Sequence, residues 1–208
     1  MMFETEEDST RHVLVLASGS AVRATLLREA GLRFSVDAPA VDEGSIKEEG
    51  LNKGQQVSEV ALTLARAKAS AGVCSHPEAY VIAADQMLEF DGRWLDKPRT
   101  VEEAGERLRE FSGRSHRLVT ATVLQRGPAE LLAHVAYATL AVRPLSDQFI
   151  AEYLNKTGEE VCRSVGGYQL EGLGAHLFER VEGDFFTILG MALLPLLAKL
   201  REQRVLFA

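Results

Sequence analysis

The run VIAADQ places four apolar residues before an acid, Asp85, with Gln86 next to it, and the segment LDKP then adds Lys97 and Pro98. In open α/β sheets, ligands gather at the carboxyl ends of buried strands, and an acid there either serves such a site or caps the next turn. Further back, LARAKA carries Lys68. Counted at 100° per residue, Lys68 lies about 20° from Val57, inside the apolar stripe of Val57, Val60, Ala61, Leu64 and Ala65. A lysine in that position either snorkels out at the helix end or points into a site. The turn ASGSAVR supplies Ser18, Gly19 and Ser20 before a helix, where backbone N–H groups hold an anion or merely form a cap, and Arg23 adds a planar cation suited to phosphate. The long acidic stretch PAVDEGSIKEEGLNKGQQ contributes Asp42 and Glu43. Ser18, Arg23, Glu43, Lys68, Asp85 and Lys97 together supply both halves of metal-assisted phosphate chemistry. Cations and backbone donors neutralise phosphate charge, while carboxylates hold a divalent ion and its water.

These groups need elements to position them. HVLVLAS reads as a buried strand, and a helix capped by Ser20 follows it and runs to Gly31. RFSVDA reads as a strand, the acidic stretch as a long loop, and VSEVALTLARAKASAG as a helix. YVIAAD is the next strand, ending at Asp85. EFDGRWL follows as a hairpin turning at Asp91-Gly92. Thr100 and Glu103 open a helix as a capping box, with Val101, Ala104, Leu108 and Phe111 on its inner face. HRLVTATVLQ and LLAHVAYATLAVRP form an antiparallel pair around Gly127-Pro128, SDQFIAEYLNKTG a capped helix, and GAHLFERVEGD a last strand. A closing helix starts at about Ala192, with Pro195 in its first turn. This order predicts a mixed sheet flanked by helices on both faces.

Composition narrows the function classes. With 208 residues, 46% hydrophobic and 25% charged, the chain suits one sizeable α/β domain. A formal charge of −7 argues against a broad nucleic-acid footprint, so an anionic ligand requires cations gathered locally. Cys74 and Cys162 lie far apart without zinc-ligand spacing, and the five histidines show no metalloprotease pattern, so a reduced, cytoplasmic setting is expected. The acidic residues 1–11 read as a frayed tail ahead of a single domain spanning 12–208. No apolar run is long enough for a membrane span. Walker A, GxGxxG and GxSxG patterns are missing; EGLGAHL lacks the third glycine of a dinucleotide loop.

Taken in order, LASGSAVRATLL, PAVDE, LARAKA, VIAADQ with LDKP, GRSHRLVTA, GGYQLEGLG and VEGDFFTILG resemble the Maf family of nucleotide pyrophosphatases over nearly all of Leu14 to Leu200. The resemblance implies an elongated, ITPase-like α/β sheet with a cleft between two lobes, in a homodimer. It implies hydrolysis of a nucleoside triphosphate between the α and β phosphates, with Mg²⁺ or Mn²⁺. Carried over by position, Asp85 activates water and shares the metal with Glu43, while Ser18, Ser20, Arg23, Lys68 and Lys97 grip the phosphates. Gln86 and Glu171 are similar to the branch that prefers 7-methyl-GTP, whereas a dTTP/UTP branch carries Thr and Gln there. Val22 stands where the first branch has Trp, which removes a stacking surface. The pair Ala21-Val22 replaces Pro-Arg, and Ala192 replaces a proline. The alternatives are a dTTP/UTP-type enzyme and a nucleotide-sensing regulator of septum formation.

Overall fold

A computed structural model describes residues 13–206; the tail expected at 1–11 lies outside the described residues. Strands β1 (Leu14–Leu16) and β2 (Ser35–Val36) flank helix α1 (Ala21–Glu29), and helices α2 (Glu43–Asn52) and α3 (Val57–Ser75) follow. Strand β3 (Tyr80–Phe90) turns into β4 (Arg93–Leu95), then helix α4 (Val101–Phe111) leads to the hairpin β5 (Ser115–Arg126) and β6 (Ala129–Val142). Helix α5 (Asp147–Thr157) and two 3₁₀ turns, Gly158–Arg163 and Leu173–Leu177, precede β7 (Phe178–Glu182), α6 (Phe185–Ile188) and α7 (Leu193–Glu202). The seven strands form one mixed sheet in the order β2-β1-β3-β5-β6-β7, with β4 added to β3. Only β1 with β2 and β1 with β3 are parallel.

Side-chain alternation sorts the sheet into two covered faces. Val81, Ala83, Val119, Ala121 and Val123 pack under the apolar stripe of α3. Leu14, Leu16, Ile82 and Ala84 face α1 and α7 instead. Toward the other end, Leu88, Phe90, Leu118 and Leu140 pack with Leu108 and Phe111 of α4 and Ile150 of α5. Strands β3, β5 and β6 run without interruption beneath both ends. Among the described residues no helix is long and apolar enough to cross a membrane.

Four sequence expectations need correction. Strand β3 does not stop at Asp85 but continues five residues to Phe90, because β5 pairs with it continuously from Val81 to Glu89. The strand expected at RFSVDA shrinks to Ser35–Val36. The strand expected from Gly174 begins only at Phe178, since Leu173–Leu177 coil into a 3₁₀ turn. The acidic loop contains helix α2, capped by Asp42, whose carboxylate accepts from the Ser45 N–H at 3.0 Å and the Ser45 hydroxyl at 2.7 Å. Gly44 and Gly50 disguised it. Gly50 is the price of packing α2 closely on α3, for a Cβ there would lie 2.4 Å from Val60 Cγ2. The other elements fall where the patterning put them, including the Asp91-Gly92 turn, with φ of 52° and 70°.

One buried polar group gives the fold a pH signature. His116 is 3% exposed, stacks on Phe111 at 4.5 Å between centroids, and shares a 2.5 Å hydrogen bond through Nε2 with the Tyr168 hydroxyl. Its Nδ1 is buried without a partner among the described residues. Burial holds the imidazole down at about 3. The unfolded chain binds this proton near pH 6.5 and the folded one does not, so stability present above pH 6.5 drains away as pH falls toward 3. Relative to His116→Phe, the native protein should lose up to about 1.4 kcal/mol per pH unit below pH 6. Urea titrations of both at pH 7, 6, 5 and 4 check this; parallel losses would rule it out.

Candidate active site

The acid sits at a break in the ladder. On one edge of β3, β1 pairs with Tyr80 to Ile82 and β4 pairs with Leu88 to Phe90, so Ala83 to Met87 have no strand partner there. A side chain fills the break. Arg23, from the first turn of α1, donates from Nη1 to the Ala84 carbonyl at 2.7 Å and to Ser18 Oγ at 3.0 Å. Its Nε donates to the Gly190 carbonyl at 2.7 Å. Arg23 is only 9% exposed, and burial draws its guanidinium below the usual range, opposed by Asp85 and Glu43. Three of its five N–H groups thus hold the protein together, and the two on Nη2 have no hydrogen-bond partner among the described residues. Sequence reasoning expected Arg23 at a phosphate site and did not anticipate this clamp.

Alternation turns Asp85 toward α3, on the same face as Ala83 and Met87. There Lys68 Nζ lies 2.6 Å from Asp85 Oδ1 and 2.8 Å from Glu43 Oε1. Lys68 therefore points into a site instead of snorkelling out; its side chain is 13% exposed. Glu43 arrives at the first turn of α2, which explains why a helix in that stretch matters. Partial burial would raise the Glu43 carboxyl, but the Lys68 hydrogen bond, with Lys47 and Lys97 nearby, brings it below the usual carboxylate range. Lys97 reaches the same space from the turn after β4. Desolvation lowers its ammonium, helped by Arg23 and Lys68 and opposed by Glu43 and Asp85. Ser18 is buried and holds Arg23, while Ser20 Oγ accepts from the Arg23 N–H at 3.4 Å as the helix cap. Both serines line the cavity, so the turn caps the helix with its positive end toward that space.

The cavity has a volume of about 600 Å³, and every residue expected from the sequence lines it: Ser18, Ser20, Arg23, Lys68, Lys97, Val22, Gln86, Glu171, Glu43 and Asp85. Gln86, on the opposite face from Asp85, is fixed by its amide nitrogen, which meets Thr120 Oγ1 at 2.9 Å and the Thr187 and Ile188 carbonyls at 3.0 and 3.1 Å. In that arrangement the amide oxygen has no hydrogen-bond partner among the described residues. Glu171 is exposed on the segment 163–171 and lines the cavity, as Val22 does. Sequence reasoning missed Lys47 and Arg163, which also line the cavity, and Asp96, which pairs with Lys47 at 2.6 Å. Lys47 was hidden because its helix read as a loop. Arg163 lies beside the Gly-rich GGYQLEGLG, where no periodic pattern marks which side chains face inward.

Cations crowded around two carboxylates, at the break in a mixed α/β sheet and beside a helix N-terminus, define a protein built to hold an anionic chain in its cleft. The chain belongs to the Maf family: the family description Maf-like protein matches residues 13–203. It is 48% identical over 190 residues to the 7-methyl-GTP pyrophosphatase of Rhizobium meliloti (strain 1021), covering 91% of this chain and 96% of that one. It is 49% identical over 194 residues to the nucleoside triphosphate pyrophosphatase of Nitrobacter hamburgensis, covering 93% and 95%. A solved HAM1 protein from Coxiella burnetii aligns with a TM-score of 0.39 and 18% identity over 63% of this chain and 73% of that one.

Proposed function

We propose that this protein hydrolyses nucleoside triphosphates between the α and β phosphates, releasing a nucleoside monophosphate and pyrophosphate, with 7-methyl-GTP as the preferred substrate. The observation that carries this reading is the Lys68 ammonium held between Asp85 and Glu43, in one cavity with Arg23 and Lys97. The relatives named as pyrophosphatases support it.

Asp85 Oδ1 is anchored by Lys68, and Asp85 makes no further hydrogen bond among the described residues. In this reading Oδ2 is free to take the proton from an attacking water. Lys68, Lys97, the outer N–H groups of Arg23 and the α1 terminus meet the charge that builds on the phosphate oxygens and the departing pyrophosphate. The residues fit a divalent cation of the Mg²⁺ or Mn²⁺ kind. Among the described residues no cluster of three or more acids, histidines or cysteines is present. Two carboxylates are what such an ion uses when the substrate's own phosphates complete its shell. Glu43 and Asp85 would hold it, and when bound it would neutralise phosphate charge.

At the base end, the Gln86 amide oxygen and the Glu171 carboxylate offer acceptors to a guanine edge, and a carboxylate favours a methylated, cationic ring. Pyrophosphate and monophosphate measured across 7-methyl-GTP, GTP, dTTP and UTP test the proposal. Pyrophosphate release, fastest from 7-methyl-GTP, is expected. Orthophosphate as the first product would overturn the bond assignment, and faster UTP or dTTP turnover would overturn the base assignment.

A further inference from the structure

Helix α4 contributes no residue to the cavity wall, yet two of its side chains grip the turn that carries Lys97. Arg107 donates from one nitrogen, Nη1, to two carbonyls, that of Asp96 and that of Val165, the latter at 2.6 Å. Its Nη2 meets Glu103 Oε1 at 3.3 Å, one helical turn back. The other Glu103 oxygen accepts from the Arg99 N–H at 2.9 Å. The turn 96–99 is therefore held on both shoulders, with Lys97 and the buried Pro98 between them. Gly167 lies against the same assembly: a Cβ there would stand 3.6 Å from Ala104 Cβ and 3.9 Å from Pro98 Cγ. Asp96 precedes the phosphate-side lysine, whereas Val165 belongs to the segment that carries Glu171. One buried guanidinium thus ties the two rims of the cavity together.

We propose that Arg107 is a positioning residue that sets the span between Lys97 and the base-side segment 163–171, and so tunes both triphosphate affinity and base discrimination. This rests on the function proposed above. The geometry needs an arginine. Two divergent N–H groups on one nitrogen reach two carbonyls while a second nitrogen holds a carboxylate, and a lysine ammonium on its flexible stem cannot keep all three. Arg107 touches no reacting atom, so its loss should act on binding more than on the chemical step.

The variants Arg107→Lys and Glu103→Ala test this by steady-state kinetics on 7-methyl-GTP and UTP, thermal melting, and amide exchange without nucleotide. Arg107→Lys should raise KM about 10-fold with kcat within about threefold, and narrow the ratio of kcat/KM between the two nucleotides. The amides of Lys97 and Arg99 and those at 163–168 should exchange faster. Glu103→Ala frees the Arg99 shoulder and the Arg107 Nη2 contact but leaves both Nη1 bonds to the rim carbonyls, so it should raise KM a few fold and leave base discrimination unchanged. Parental KM and parental exchange in Arg107→Lys, even with a lower melting temperature, would overturn the proposal. If Arg107→Lys fails to fold, parental KM and exchange at Arg99 in Glu103→Ala would overturn it equally. A parent that releases no pyrophosphate from any nucleotide would refute the function instead, and the exchange arm would still decide whether Arg107 holds the two rims.

Discussion

Asp85→Asn should lower kcat by about 10²–10⁴-fold while nucleotide binding survives. The substitution keeps shape and volume but removes the basic oxygen that would accept a proton from water. Lys68 keeps its contact with Glu43 at 2.8 Å, so the ammonium stays paired and the phosphate-side cations remain in place. Uniform loss of binding is therefore not the expected result. Pyrophosphate release by the variant, together with calorimetric binding of an α,β-methylene triphosphate analogue, separates the two effects. Turnover equal to the parent's across a nucleotide panel would end the role given to Asp85. Lost binding with an unchanged kcat would make the residue a substrate anchor.

Arg23→Ala should cost about 3 kcal/mol of stability and most of the activity, since each buried polar group left unpaired costs about 1–3 kcal/mol. The groups left behind are the Ala84 and Gly190 carbonyls, while Ser18 Oγ keeps only the Ser20 N–H at 3.3 Å. Water entering from the cavity would repair part of the loss. For a chain of this size the expected fall in melting temperature is about 6–12 °C. Arg23→Lys should recover less than half of it, because one ammonium cannot span the two carbonyls and the hydroxyl. A melting temperature within a degree of the parent's in Arg23→Ala would show that the break in the β3 edge needs no filling.

Much of this was legible before any coordinates. Alternation and stripe patterns located nearly every strand and helix, and Lys68 stood out because a charge interrupted an apolar face. The helix from Glu43 escaped notice because two glycines and a single half-buried isoleucine, Ile46, leave it almost no apolar stripe. Its stability comes from the Asp42 cap and from α3, which is tertiary context. The end of β3 was misplaced for a related reason. A charge usually marks a strand's exit, but here β5 extends the ladder past it. The double role of Arg23 and the grip of Arg107 depend on backbone carbonyls brought from far along the chain, and residue types alone carry no trace of those.

The three long central strands set how the cleft can move. Eleven, twelve and fourteen residues of β3, β5 and β6 pass unbroken under both of its sides and act as a spine. A hinge across them would break many ladder hydrogen bonds at once. Any tightening around a guest falls to the borders instead of this spine, the start of α2 on one side and the segment after the 3₁₀ turn Gly158–Arg163 on the other, like lips closing over a fixed jaw.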